Sequence, residues 1–175
     1  MLRGINVSGK RLIRMPELVK LYHDLGYNGV STYIQSGNVI FNTDKGLKAK
    51  ELALMIEKAI KDKYGFDVPV IIRTPQEIAA VIEANPFHNA DGAAKDNIYI
   101  TFLENIPSQE NLDKIKPFDY YPDKFVVNAK EIYLDCASGY GTTKLSNTFF
   151  ENRLKVRATT RNWKTVNTLL QMATV

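Results

Sequence analysis

Cysteine and histidine are scarce in this chain. Its 175 residues include one cysteine, Cys136, and two histidines, His23 and His88. A single cysteine excludes an internal disulfide and an all-cysteine metal site. Neither histidine has a cysteine or histidine partner at metal-ligand spacing. The sequence therefore implies no metal and no cofactor, and it suits a reducing cytoplasm.

Long apolar runs are also missing. No stretch approaches the roughly 20 apolar residues that a helix needs to cross a bilayer, and nothing near Met1 resembles the hydrophobic segment of a signal peptide. We therefore expect no membrane partner. Residues 1–6 are typical of the end of a strand, but little apolar sequence precedes Arg3, so we expect further residues before Met1.

Charges of both signs are present, with a modest positive excess that gives a formal net charge of +4. Lys10, Arg11 and Arg14 cluster near the start. A second cluster near the end comprises Arg153, Lys155, Arg157, Arg161 and Lys164. Such clusters allow an anionic partner. The alternative is a solvated basic surface that keeps a small domain soluble.

The stretch from Thr32 to Phe41 combines two β-rich runs that meet at Ser36-Gly37-Asn38, which predicts a hairpin with a tight turn. The predicted cross-strand pairs are Ser36 with Val39, Gln35 with Ile40, and Ile34 with Phe41. This register places Ile34, Val39 and Phe41 on a core face. Tyr33 lies on the opposite, mixed face, which is available to a partner. We take Tyr33, Ser36 and Asn38 as candidate ligand-binding residues.

The residues before and after this hairpin predict a ferredoxin-like first half. Apolar spacing and turn residues indicate a strand end at Met1–Asn6, a helix from Met15 to Gly26, a helix from Gly46 to Tyr64, and a strand at Val68–Arg73. With the hairpin included, the order is β-α-β-β-α-β, which is that of ferredoxin-like domains. We therefore predict an α+β chain whose first half covers residues 1–74.

The second half, residues 75–175, predicts another α+β unit of order β-α-β-β-α. It opens with a helix that has a Thr74–Glu77 capping box. An exposed loop at Gly92–Lys95, a strand at Asn97–Leu103 and a short helix at Pro107–Ile115 follow. A hairpin turns at 128–130. Two helices complete the chain, one from about Thr143 to Leu154 and one from about Arg161.

The segment Gly4-Ile-Asn-Val-Ser-Gly9-Lys10-Arg11 is one residue short of a phosphate-binding loop, because Arg11 replaces the hydroxyl residue that binds Mg²⁺. Pro16 also places the helix start several residues too late for that motif. A looser hypothesis is that Arg3, Asn6 and Lys10 hold an anion beside backbone N–H groups. The alternative is a flexible connector with solvated cations.

Two later segments lead into predicted helix N-termini, which favour anions. In Gly139–Asn147 the candidates are Lys144 and Asn147, and the alternative is that Thr142 or Thr143 simply caps the helix. In Arg157–Thr165 we expect Thr159 or Thr160 to cap the last helix. Arg161 and Asn162 would then lie in its first turn, where a basic residue is unfavourable unless an anion is bound.

Nucleophilic chemistry has little support. Cys136 is followed by Ala-Ser-Gly-Tyr-Gly and then Thr142, where a cysteine phosphatase needs arginine. We interpret Cys136 as a packed thiol. No spaced carboxylate pair indicates acid–base catalysis, so the catalytic residues are unknown.

Five segments together identify a family resemblance. They are Leu2-Arg-Gly-Ile-Asn-Val7, Thr32-Tyr-Ile-Gln-Ser-Gly-Asn-Val39, Phe66-Asp-Val-Pro-Val70, Gly141-Thr-Thr-Lys144-Leu and Thr160-Arg-Asn-Trp163. In this order they resemble the signatures of a bacterial family, domain of unknown function 1697, over nearly the whole chain. The resemblance implies an α+β protein with a ferredoxin-like first half. No catalytic residues come with it.

The leading functional hypothesis is an anion-binding module for a nucleotide, a phosphorylated ligand or a nucleic-acid backbone. It requires Arg3, Asn6, Lys10, Lys144, Asn147, Arg161 and Asn162 to converge. An RNA-binding sheet is a narrower version, although the hairpin lacks the paired aromatic residues that stack bases. The alternatives are an enzyme for a phosphorylated or acyl substrate that uses Ser36, Tyr33 or Cys136, and a structural or protein-interaction domain.

Overall fold

A computed structural model describes residues 1–87, 97–116 and 119–174 of the chain. Its contacts divide the chain into two compact units, one formed by Met1–Thr74 together with the chain from Gln171 onward, the other by Pro75–Leu170. The strands form two antiparallel sheets among helices, so the predicted α+β class is confirmed. His88 and the predicted loop Gly92–Lys95 lie outside the described residues.

The first unit contains two helices and a two-stranded sheet. Its elements are α1 (Met15–Asp24), β1 (Asn28–Tyr33), β2 (Asn38–Asn42) and α2 (Ala49–Tyr64). Pro16 lies in the first turn of α1 and Gly65 ends α2, both as predicted. In α2, the buried side chains of Leu52, Ile56 and Ile60 recur every four residues and therefore face the core together.

The segments that flank these elements pair only briefly. Leu2 and Val70 form an isolated antiparallel bridge, supported by hydrogen bonds from Arg3 N to Pro69 O (2.9 Å) and from Ile71 N to Met1 O (2.9 Å). The predicted strands at 1–6 and 68–73 are thus wrong in extent. Pro69 has no N–H to extend a ladder, and the Val70 N–H donates to the Glu57 side chain at 2.8 Å instead of to a strand.

The hairpin register differs from the prediction. Tyr33 pairs with Asn38 and Thr32 pairs with Val39, so residues 34–37 form the connecting loop. The Asn38 side chain is fully buried and donates to Tyr33 O (3.2 Å) and to Ser36 Oγ (3.0 Å), which closes the loop. Ile34 lies in this loop and is 51% exposed, so its predicted core position is wrong.

An aromatic cluster lies at the centre of the first unit. The rings of Tyr22, Tyr27 and Phe41 lie 4.6–5.9 Å apart. Val39 and Phe41 pack against the buried core, as predicted. Leu2 and Ile5 belong to the same core. The bridge segment and the hairpin therefore share one apolar interior.

The second unit is built on a four-stranded antiparallel sheet. Its elements are α3 (Pro75–Glu83), β3 (Ile98–Leu103), α4 (Gln109–Asp113), β4 (Lys124–Asn128), β5 (Glu131–Asp135), α5 (Asn147–Leu154), β6 (Ala158–Asn162) and the larger part of α6 (Trp163–Ala173), which ends in the first unit. The strand order is β4-β5-β3-β6. Strand β3 is central, and Ile98, Ile100 and Phe102 in it are fully buried. The predicted turn between Asn128 and Glu131 is confirmed, whereas the Thr74–Glu77 capping box stays a prediction.

Strand β6 was not predicted. Its sequence, Ala-Thr-Thr-Arg-Asn, has one apolar residue, and its threonines suggested helix caps. In the structure the threonines pair with β3, Thr159 with Phe102 and Thr160 with Thr101. Threonine suits a strand because it is β-branched. Neither threonine hydroxyl caps α6, since that of Thr159 accepts from Arg161 and that of Thr160 bonds to Thr101 and Asn147.

The close approach of the first segment to the hairpin loop explains Gly37 and can be tested. Its φ is +81°, and a Cβ would lie 2.7 Å from Leu2 Cβ and 3.0 Å from Ile5 Cδ1. We expect Gly37→Ala to cost about 1–2 kcal/mol of unfolding free energy for the backbone conformation, and about 1–3 kcal/mol more for the packing clash. Urea unfolding followed by circular dichroism measures the loss.

Gly9→Ala is the matched control. Gly9 has a similar φ of +71°, but nothing lies within 4 Å of the added Cβ. It should therefore show only the backbone cost of about 1–2 kcal/mol. Equal losses for the two variants would contradict the packing role of Gly37.

Candidate anion-binding site

Residues 3–14, which we call the basic loop, contain four cationic residues and no Asp or Glu. Val7 and Lys10 form an antiparallel bridge, and Lys10 N donates to Val7 O at 3.0 Å. Ser8 (φ +50°) and Gly9 (φ +71°) lie between them, which is the signature of a type I′ turn. A phosphate-binding loop passes into a helix at its lysine, whereas α1 begins only at Met15.

The Asn6 side chain fixes the basic loop. Its Oδ1 accepts from Ile13 N, and its Nδ2 donates to Ile13 O and to Gln35 O, each at 2.9 Å. The first two bonds close the basic loop, and the third joins it to the hairpin loop. Three hydrogen bonds occupy the amide. Asn6 is therefore a scaffold residue, and the structure does not present it to an anion.

Ser36 and Asn38 also serve the scaffold. The Asn38 amide donates to Ser36 Oγ and to the Tyr33 carbonyl, as described above. Tyr33 is half-buried at the end of β1. The polar groups of the Ser36-Gly37-Asn38 turn are thus used to shape the hairpin loop, which sequence alone did not distinguish from ligand binding.

Three cations of the basic loop remain available to a partner. The side chains of Lys10, Arg11 and Arg14 are exposed, and none forms an ion pair within the described part of the chain. Arg3 is half-buried and interacts with other groups of the protein. Of the three residues predicted to bind an anion in this segment, Lys10 is the one that the fold leaves exposed and unpaired.

Exposed aliphatic side chains accompany these cations. Val7 is 58% exposed, Leu12 is 65% exposed, and Ile34 is 51% exposed. Val7 follows Asn6, Leu12 precedes Ile13, and Ile34 precedes Gln35. The aliphatic residues therefore lie next to the residues that the Asn6 amide joins.

In the second unit, Lys144 and Asn147 take different places from those predicted. Helix α5 begins at Asn147, with Ser146 as its N-cap, because Phe149 N donates to Ser146 Oγ at 3.2 Å. The predicted caps at Thr142 and Thr143 are wrong. Thr143 Oγ1 donates to Asp123 instead, at 2.5 Å. Lys144 is exposed but precedes the cap, so it is not in the first turn of the helix.

Arg161 and Asn162 belong to β6 and not to the first turn of α6, which corrects the prediction. Arg161 is 8% exposed, and its Nη1 donates to Thr159 Oγ1 and to Thr160 O, both at 2.8 Å. Burial lowers the pKa of Arg161 to about 10, so it stays charged at neutral pH. Asn162 Oδ1 accepts from Thr165 N at 2.8 Å and thereby caps α6.

A hydrogen-bond network around Thr160 was missed by sequence reasoning. Tyr140 OH donates to Thr160 Oγ1 (3.0 Å), and Thr160 Oγ1 donates to Asn147 Oδ1 (2.8 Å). Because the single Thr160 proton is used for Asn147, Thr101 must be the donor in its 2.7 Å bond to Thr160. The network ties β3, β6 and the start of α5 together, and it occupies the Asn147 oxygen.

The second basic cluster is partly neutralised. Arg157 donates to both carboxylate oxygens of Glu104, at 3.0 Å and 2.6 Å, where β6 begins beside the end of β3. The guanidinium of Arg153 lies 5.8 Å from the centre of the Phe149 ring. This cluster is therefore used in large part for packing within its own unit.

A cavity of about 300 Å³ opens beside the turn between β4 and β5. Val81, Ile106 and Tyr133 line it, and Tyr133 OH donates to Val81 O at 3.0 Å. Burial, with a contribution from Glu131, raises the pKa of Tyr133 to about 12. The charged residues at the cavity, Glu77, Lys130 and Glu131, each interact with other groups of the protein.

Cys136 is fully buried in the core of the second unit. Burial, together with the negative charge of Asp123, raises the pKa of its thiol to about 11. The described residues include no cluster of three or more histidine, cysteine, aspartate or glutamate side chains that would hold a metal ion. None of the described helices combines the length and apolar composition that a membrane crossing demands.

The comparison with solved structures supports the fold. The structure of conserved bacterial protein SP0830 from Streptococcus pneumoniae matches with a TM-score of 0.73 and 21% sequence identity, over 99% of this chain and 96% of that chain. This match supports the assignment of the chain to the α+β fold class. The chain belongs to the family described as protein of unknown function (DUF1697), whose model matches residues 1–133. The predicted family is confirmed. No curated protein matches the sequence.

The role of Asn6 predicts a large effect for an isosteric change. In Asn6→Asp the side chain keeps an acceptor for Ile13 N, but it loses both donor bonds and places a carboxylate beside two carbonyl oxygens. We expect a loss of about 2–3 kcal/mol in unfolding free energy. The same change at exposed Asn28, which has no side-chain hydrogen bond within the described residues, should cost less than about 0.5 kcal/mol. Urea unfolding of both variants measures the two losses of unfolding free energy. Similar losses would contradict the scaffold role of Asn6.

Burial of Cys136 predicts slow thiol chemistry. With a pKa of about 11, only about one thiol in a thousand is ionised at pH 8, against about one in four for a free cysteine. Labelling of the native protein by iodoacetamide should therefore be at least about a hundredfold slower than that of the urea-unfolded protein. Because the thiolate reacts, the native rate should rise with pH up to about 11. Rapid native labelling at pH 8 would refute this interpretation.

Proposed function

We propose that the protein is an anion-binding module and that the basic loop makes the primary contact. The observation that carries this proposal is the exposure of Lys10, Arg11 and Arg14 without ion pairs, within the described residues, on a loop that the Asn6 amide holds in one conformation. The partner classes are a nucleotide, a phosphorylated ligand and a nucleic-acid backbone.

The conformation of the basic loop favours binding. Within the basic loop, Asn6 N donates to Arg11 O at 3.2 Å, and the turn at Ser8 and Gly9 joins Val7 to Lys10. A partner that binds here does not have to order the backbone, so less entropy is lost on association. The exposed cations are solvated, and their attraction to an anion is therefore screened by salt.

The candidate residues fall in both units. Arg3, Lys10 and Asn6 belong to the first unit, and Lys144, Asn147, Arg161 and Asn162 belong to the second. Lys144 is exposed and is the candidate of the second unit that remains available to an anion. The polar groups of Arg161, Asn162 and Asn147 form hydrogen bonds within the second unit.

A ferredoxin-like first unit and a cytoplasmic, bacterial setting belong to the same proposal. The ferredoxin-like arrangement is supported by the Leu2–Val70 bridge and by the bond from Leu2 N to Gly37 O at 2.8 Å. Contacts of the first segment with both the 69–71 segment and the hairpin loop support a β-α-β-β-α-β arrangement.

The enzyme alternative gains no support from the described residues. Cys136 is buried with a raised thiol pKa, and Ser36 Oγ accepts from the buried Asn38 amide. A nucleophile needs an adjacent base or a lowered pKa. The buried Cys136 does not show this arrangement, and Ser36 and Tyr33, the other residues of this alternative, stay predictions.

Charge reversal in the basic loop tests the proposal. Binding of a fluorescein-labelled oligo-dT, with ATP and pyrophosphate as competitors, is measured by fluorescence anisotropy. We expect Lys10→Glu to weaken oligonucleotide binding about three- to tenfold at low salt. If three phosphates are contacted, log K should fall with log salt at a slope of about −2.

Lys50→Glu is the matched control, because Lys50 is an exposed lysine of the same unit without an ion pair within the described residues. It should leave binding unchanged within about twofold. Equal effects of the two reversals, or the absence of any salt-sensitive binding, would overturn the proposed function.

A further inference from the structure

We propose that the natural partner of the basic loop is a protein segment that carries both carboxylates and aliphatic side chains. This inference rests on the proposed anion binding by the basic loop, and it replaces the phosphate-bearing partner classes by a carboxylate-bearing one. It is carried by the exposure of Val7 (58%), Leu12 (65%) and Ile34 (51%) beside the unpaired cations.

The exposed aliphatic residues are concentrated in two loops that a hydrogen bond joins. Among the described residues of the first unit, four large apolar side chains are exposed: Val7, Leu12, Ile34 and Leu54. Three of these four lie in the basic loop or in the hairpin loop, which the Asn6–Gln35 hydrogen bond joins. Single exposed apolar residues are ordinary on a protein surface, whereas a cluster marks an interaction site.

The aliphatic side chains determine the kind of partner. A phosphate group or a phosphodiester backbone neutralises the cations. It offers little apolar surface that could cover the exposed aliphatic side chains. A protein segment with leucine or isoleucine side chains does both. An apolar centre with charged residues around it, arginine among them, is the usual composition of a protein–protein interface.

The same residues disfavour a nucleic acid as the natural partner. Proteins that hold single strands stack the bases on aromatic side chains, and residues 3–14 and 34–37 contain no aromatic residue. The Asn6 amide, which would read a base edge, is occupied by Ile13 and Gln35.

The charge of the basic loop determines the sign of the partner. Lys10, Arg11 and Arg14 are exposed, and the first acidic residue of the chain is Glu17. An acidic segment is attracted and a basic one is repelled. Asn6 fixes the loop, so the apolar and cationic groups are presented together before binding.

Three fluorescein-labelled probes test the inference by fluorescence anisotropy. The first is a peptide of Glu-Glu-Leu repeats, the second replaces each leucine by serine at equal charge, and the third is oligo-dT. We expect the leucine peptide to bind at least about tenfold more tightly than the serine peptide. Leu12→Ser and Ile34→Ser should each reduce this difference about threefold or more and leave serine-peptide binding unchanged.

Leu54→Ser is the matched control, because Leu54 in α2 is 51% exposed, as Ile34 is. It should not change the preference for the leucine peptide. Circular dichroism and urea unfolding confirm that all three variants fold like the parent.

The outcomes separate the inference from the proposed function. If the two peptides bind equally and Lys10→Glu weakens both, the loop binds anions but the inference is overturned. If oligo-dT binds more tightly than the leucine peptide, the inference is overturned in favour of a nucleic acid. If no probe binds, the inference and the proposed function both fail.

Discussion

The Asn6 side chain is the constraint on which the surface of the first unit depends. Its amide bonds to both backbone groups of Ile13 and to the Gln35 carbonyl, so one side chain fixes the basic loop and attaches it to the hairpin loop. Gly37 acts beside it, because only a residue without Cβ allows Leu2 and Ile5 to approach the hairpin. A hydrogen-bonded junction and a close contact thus fix two irregular segments that have little sheet pairing of their own.

Both units use polar side chains where longer strands would otherwise supply hydrogen bonds. In the first unit Asn38 closes the hairpin loop, and Glu57 accepts from the Val70 N–H. In the second unit the Thr160 network and the Arg157–Glu104 ion pair fasten the edge strand β6 to β3. A buried polar group is costly unless it is hydrogen-bonded. Most of the polar residues that the sequence suggested as ligand-binding residues are therefore explained by their hydrogen bonds within the fold.

The sequence predicts elements that depend on local signals. Helices α1 and α2 were found because Pro16, Gly65 and the apolar periodicity act within a few residues of the helix. The hairpin register was not found, because the buried Asn38 amide, a tertiary feature, favours a longer loop over a two-residue turn. Strand β6 was not found for the same kind of reason, since its stability comes from β3, which is more than fifty residues earlier in the chain. Among the candidate site residues, sequence alone could not separate the exposed Lys10 from Asn6, whose amide is bonded within the fold.

The contrast between Lys10 and Arg161 shows why a count of cations does not locate a binding surface. Arg161 pairs with Ile100 in the central strand β3 and is buried, so its guanidinium bonds within the fold, to Thr159 Oγ1 and to the Thr160 carbonyl. Lys10 is the last residue of a type I′ turn, and its side chain is exposed. A buried cation forms its hydrogen bonds within the fold, whereas an exposed cation on a turn remains available to a partner. Leu12 and Val7, near Lys10 in the sequence, are exposed in the same way, because the fixed loop holds their side chains at the surface.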